Sequence, residues 1–369
     1  QGEIMRFAAC AFLAVIGLGP HPAFAQPDRT AVRSWKTVRV TCDATAAKPA
    51  GELGRRIAQT AIEEFTRFGG HRIDSDGRLF RFGLTEAEHE EDDGGTRAVS
   101  VGHLGWWQVM RYWRALYGDD SPDKLEVRGY RDASTVTQDT HDAALLRTTA
   151  LRLLREADNV ADPAEREILR EAAARAAIID TPWSAAFISF VLRQSGIADT
   201  AFRFANAHRV YIYDAFETSA GELANEASDR LYRACPVTTR PRLGDLICQQ
   251  REPALADATD ATVRERIRVE LAGDNNARSI RRTHCEVVAH VDTSARKMYS
   301  IGGNVLQAVT ARKLKLRRDL RFSVVQSYPC GGAGRWTLPQ SSAQPPDTST
   351  SDPKCSLNDR KWFVLLQLR

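Results

Sequence analysis

Thr181-Pro182-Trp183-Ser184-Ala185-Ala186-Phe187-Ile188-Ser189-Phe190-Val191-Leu192-Arg193-Gln194-Ser195-Gly196 reads as one helix punctuated at both ends. Thr181 is a good N-cap, Pro182 suits the first helical position because its missing donor would be unpaired there, and Gly196 stops the helix. Trp183, Phe187, Phe190 and Val191 share a stripe, and Ser184, Ile188 and Leu192 lie along the next, so the helix should be buried. Its one small hydroxyl in the first turn, Ser184, stands where backbone donors and the positive end of the helix dipole converge. A nucleophile or an oxyanion is favoured at such a place. The rival reading is plain packing, since serine is common in first turns.

The chain around this helix is an ordinary globular one of 369 residues, 43% hydrophobic, long enough for one large core or two small ones. Its 51 basic and 47 acidic residues balance to +4, which argues against a nucleic-acid partner. Met5 and Arg6 precede an apolar run over 7–18, and Ala23-Phe24-Ala25 has the form of a signal-peptidase site, so residues 1–25 are read as a leader removed on export. The run is too short to span a bilayer, and a periplasmic or secreted protein without stable membrane insertion is expected. Without the leader six cysteines remain, Cys42, Cys235, Cys248, Cys285, Cys330 and Cys355, in a compartment that permits disulfides. Six cysteines allow 15 pairings. Cys330 with Cys355 is the favoured pair because they bracket the loosest segment, while Cys248 and Cys285 on neighbouring strands suit either a disulfide or two buried thiols.

Residues 26–50 read as an extended leader, followed by a helix over 52–68 ending at Gly69-Gly70 and by a charged loop or short hairpin over 74–95. A tryptophan-rich helix over 104–116 and one or two alanine-rich helices over 141–179, broken at Asp162-Pro163, complete a half that looks all-helical. An aromatic segment over 202–216 precedes an exposed helix near 219–235. The period then changes to two. Leu246-Ile247-Cys248, residues 284–292 and residues 297–301 read as strands of an antiparallel meander, with a charged helical insertion over 251–282. Residues 331–358 are a Gly/Ser/Pro-rich loop, and 359–369 end the chain as a hydrophobic strand.

Pro182-Trp183-Ser184-Ala185-Ala186-Phe187-Ile188-Ser189-Phe190 resembles the Trp-Cys-Ala-x-Phe-Val-Ser helix of CHAP and NlpC-type cysteine peptidases, papain-like enzymes that cut peptidoglycan. Pro241-Arg242-Leu243-Gly244-Asp245-Leu246-Ile247 resembles their Gly-Asp-Leu strand, His284 with Val287-Val288 their histidine strand, and Ile301-Gly302-Gly303-Asn304 their Ile-Glu-Gly-Asn. The set, together with Val109-Met110-Arg111-Tyr112-Trp113 and His208-x-x-Tyr211, is more closely similar to the bacterial domain family DUF2272 over about 51–321. The resemblance implies an α+β, papain-like domain over 51–330, with a helical N-terminal half packed on a small antiparallel sheet. It implies Ser184 as nucleophile, His284 as base and Asn304 as the residue that orients the imidazole.

Serine in the cysteine position changes the chemistry. A thiol can be ionised beforehand by an imidazolium and a helix dipole, whereas a hydroxyl must lose its proton during attack. A Ser-His-Asn hydrolase is chemically sufficient, because an amide oxygen can accept the ring N–H. The expected activity is cleavage of an amide or peptide bond, with peptidoglycan or another wall peptide as partner and no cofactor. The alternative is a catalytically silent wall-binding or scaffolding module. Trp183, His208, Tyr211 and Glu286 are candidate substrate-binding residues. His208 is read either as part of a packed aromatic loop or as an alternative base, and Glu286 shares a strand face with His284, where it would tune that histidine or hold a cationic group. Asp245 reads as a turn or strand-start residue. A zinc site from Cys248, His284, Cys285 and His290 is disfavoured, since alternation sends His284 and Cys285 to opposite faces.

Overall fold

The computed structural model describes residues 29–87, 104–131, 145–251, 283–326 and 356–369. The proposed leader, most of the 251–282 insertion, and Cys330 with Cys355 lie outside them. In chain order the described elements are α1 (Arg29–Ala46), α2 (Glu52–Arg67), β1 (His71–Ile73), β2 (Leu79–Arg81), α3 (Gly105–Tyr117), α4 (Ser121–Lys124), β3 (Glu126–Arg131) and β4 (Leu145–Thr149). They continue with α5 (Ala150–Ala157), α6 (Pro163–Asp180), α7 (Ser184–Gln194), α8 (His208–Leu223), β5 (Tyr232–Pro236), β6 (Leu246–Gln250), β7 (Thr283–Asp292), β8 (Lys297–Val305), β9 (Ala308–Lys315) and β10 (Lys361–Leu368).

The fold is α+β. Eight strands form one sheet in the order β2-β1-β9-β8-β7-β6-β10-β5, and β3 pairs with β4 separately. The expected meander β6-β7-β8 is antiparallel, but it is continued by β9, a strand not expected from the sequence, and β1 joins β9 in parallel, so the sheet is larger than expected and mixed. Alternation along the strands divides the core in two. Leu246, Cys248, Cys285, Val287 and Ile301 join the cluster containing α2, α3, α7 and α8, whereas Ile247, Val288, Met298 and Leu365 join Val38 and Cys42 of α1 in the other.

Four local expectations are corrected. Residues 26–50 are not an extended arm: Val38, Cys42 and Ala46 recur every four residues, are buried, and give α1 an inward stripe, which Cys42 fastens to Cys235 of β5 by a disulfide. The N-terminal half is not all helix, since it supplies β1 to β4. The segment around 202–216 and the exposed helix near 219–235 are replaced by α8, in which His208, Tyr211, Ile212, Ala215, Phe216 and Ser219 are buried at helical spacing. Thr181 does not cap α7. It closes α6, and its hydroxyl exchanges hydrogen bonds with the backbone N–H and C=O of Glu126, while Trp183 takes the N-cap of α7. The break at Asp162-Pro163 is as expected: the Asp162 carboxylate accepts from the Ala164 and Glu165 amides at 2.8 and 2.9 Å and starts α6.

Candidate active site

Helix α7 is buried along nearly its whole length, and Ser184 is its first residue. No side chain caps that end, so the amides of the first turn keep their donors for an anion. The helix lies close to β8 because Gly303 has no side chain: a Cβ there would overlap Phe187 and Trp183. The imidazole that meets Ser184 belongs to His208, the first residue of α8, with Ser184 Oγ and His208 Nε2 2.7 Å apart. His284 is excluded from that contact by the pleat. Cys285 shares its face with Cys248 and the α7 core, so His284 and Glu286 point to the other face. At the strand end the two imidazoles still approach edge to face, with ring centroids 5.1 Å apart.

The hydrogen-bond network assigns both tautomers. His208 Nδ1 faces the Tyr211 hydroxyl and, at 3.2 Å, the backbone N–H of Cys285. An amide N–H only donates, so Nδ1 holds the lone pair and neutral His208 carries its proton on Nε2, donating it to Ser184 Oγ. The Cys285 amide is available because β7 pairs with β8 only from Val287 onward. Burial pushes the His208 pKa well below the ordinary histidine value, with His284 and Arg251 adding to the effect, so this imidazole is neutral at pH 7. Tyr211 is pushed well above the ordinary phenol range by burial and by Tyr232, and stays a donor.

His284 accepts from Arg251 Nη2 at Nδ1, 3.2 Å away, which leaves its proton on Nε2, 3.3 Å from Glu286 Oε1 without hydrogen-bond alignment. Burial lowers its pKa to about 4, against the opposing pull of Glu286. Burial would raise the Glu286 carboxyl, but Arg312 and its hydrogen-bond partners overcome this and hold it at about 2. Glu286 accepts from Ser300 Oγ at 2.6 Å and Arg312 Nε at 2.8 Å, so the cation it holds is internal and not a ligand's.

The expected Ser184, His284 and Asn304 therefore do not form one hydrogen-bonded line. Asn304 adopts φ +52° where β8 leaves its register, and among the described residues its side chain bonds neither histidine. Trp183 is fully buried, packed beside Phe68 and Tyr112, and its indole N–H is taken by Glu86, so it offers no face to a substrate. His208 and Tyr211 do meet at the site, and their spacing on α8, continued by Ile212, Ala215 and Phe216, is the signal that identifies a helix rather than a loop. Asp245 is structural: its carboxylate accepts from the Arg242 and Leu368 amides, each at 2.8 Å, and fixes β10. Cys248 and Cys285, directly opposed on β6 and β7, form a disulfide. That removes them as metal ligands, and among the described residues no group of three or more His, Cys, Asp or Glu is placed to hold a metal ion.

Fold and site together define an α+β protein with a serine–histidine pair at the N-terminus of a buried helix on a mixed sheet. The chain belongs to the DUF2272 family, described as an uncharacterized protein conserved in bacteria, whose model matches residues 102–368. The match starts before α3, ends in β10, and takes in Ser184, His208 and His284, a span shifted toward the C-terminus from the resemblance over 51–321. No curated protein and no solved structure matches the chain.

Proposed function

We propose that this protein is a cell-envelope hydrolase that cleaves an amide or peptide bond, with peptidoglycan as its substrate, and that Ser184 is the nucleophile. The observation that carries the reading is the 2.7 Å contact between Ser184 and His208 at the uncapped start of α7. His208, and not His284, is then the general base. For attack, His208 must present a bare Nε2, so its proton moves to Nδ1 and faces the Tyr211 oxygen; the imidazole then takes the hydroxyl proton as the Oγ–C bond forms. The first-turn amides of α7 supply donors for the resulting oxyanion. Two disulfides fit an oxidising compartment outside the cytoplasm, and no helix among the described residues is long and apolar enough to cross a membrane.

One observation favours a catalytically silent wall-binding module instead. The Cys285 amide holds the Nδ1 lone pair of His208, which opposes the tautomer that catalysis needs. Digestion of purified peptidoglycan by the native protein, Ser184→Ala and Ser184→Cys separates the two readings. Product analysis should show new muropeptides from the native protein, none from the alanine variant, and retained or increased release from the cysteine variant. Tight wall binding by all three with unaltered muropeptides would establish the silent module.

A further inference from the structure

Next to the Ser184–His208 pair, the sheet face that carries His284 holds more cation than anion. Arg251 directly follows β6, is solvent-exposed, and commits one nitrogen to His284 Nδ1. Among the described residues no carboxylate lies within ion-pair distance of it, and Glu286 is already engaged by Arg312 and Ser300. Arg312 and Arg360 add to the positive field there. Gln249 stands directly opposite His284 in the β6–β7 register and shares its face. Both side chains are at least nine-tenths buried; His284 Nε2 faces Glu286 Oε1 at 3.3 Å, yet Gln249 Oε1 has no hydrogen-bond partner. Buried polar atoms of this kind are rare without a ligand or water to satisfy them. An unused acceptor beside a guanidinium with free nitrogens matches one chemical unit, an amide N–H followed by a carboxylate.

We propose that Arg251, positioned by His284 and flanked by Gln249, binds the free C-terminal carboxylate of a peptide substrate, so that the protein acts near carboxylate ends rather than within a chain. This rests on the reading of Ser184 as the hydrolytic centre, which His208 links to His284 across 5.1 Å between ring centroids. The test is equilibrium binding to the Ser184→Ala protein of an N-acetylated tripeptide with a free carboxylate and of the same peptide as its carboxamide. The acid should bind about tenfold more tightly. Arg251→Met should abolish that preference with unchanged thermal unfolding, and Arg251→Lys should keep part of it. Equal affinity for acid and amide, or a preference that survives Arg251→Met, overturns the proposal. So does saturable binding of inorganic phosphate at Arg251 with no acid-over-amide preference, which would mark a free-anion site. Because binding is read without turnover, acid preference in a protein that cleaves nothing defeats the hydrolase reading, whereas cleavage without acid preference defeats this one alone.

Discussion

The proton on His208 is the smallest feature on which the proposed hydrolysis turns. Two donors converge on its Nδ1, so long-range 15N–1H spectra at neutral pH should show His208 and His284 both as neutral Nε2–H tautomers. An Nδ1–H signature for His208 would instead mean the base is already set. If His208 is the base, kcat/KM for peptidoglycan fragments should keep its value from pH 7 down to well below the ordinary histidine pKa, because burial keeps the ring neutral there. A second residue-scale expectation concerns Glu86. Burial raises its carboxyl from the ordinary value to about 7, partly opposed by the Trp183 hydrogen bond, so its folded state holds a proton that the unfolded chain releases. Its stabilising contribution is complete below the unfolded value of 4.5 and is lost as pH rises through about 7. Glu86→Gln keeps an acceptor for the indole N–H without the charge, so it should leave the melting temperature nearly unchanged at about pH 5 and raise it at about pH 8. Equal shifts at both pH values would exclude this account.

At the scale of elements, the placement of Ser184 depends on how closely α7 approaches β8. Gly303→Ala should push the helix off the strand, costing about 1–3 kcal/mol in denaturant unfolding, and on the proposed hydrolase reading it should lower peptidoglycan turnover beyond that explained by stability. A substitution with no effect on the unfolding midpoint would show that the contact is loose. Helix α7 and the strands β6 to β8 were legible in the sequence because burial imposes strong periods on them: apolar stripes through Phe187 and Val191, and alternation through Cys285 and Val287. What stayed hidden was set by tertiary contact. Thr181 has the chemistry of an N-cap but serves the strand at Glu126, and the short β1 gains its identity by lying between β2 and β9. The site was half legible. Ser184, His208 and Glu286 were identifiable as candidates, but the choice of His208 over His284 required knowing which face of β7 looks toward α7.

The molecule as a whole is closed by chain segments distant in sequence. The Cys42–Cys235 disulfide spans 193 positions, and a loop of that length constrains the unfolded chain by about 5 kcal/mol in the chain-entropy description. Cys42→Ser with Cys235→Ser should therefore lower the melting temperature markedly while leaving the Ser184 site, built from other elements, in place. Unchanged thermal unfolding would refute that cost. Strand β10 lies between β6 and β5, pairs antiparallel with both, and receives the Asp245 carboxylate on its Leu368 amide. Until residues 361–368 have been synthesised, β5 and β6 have no common neighbour and the hydrophobic faces on both sides stay open. During that interval the growing polypeptide is exposed to aggregation and to proteases.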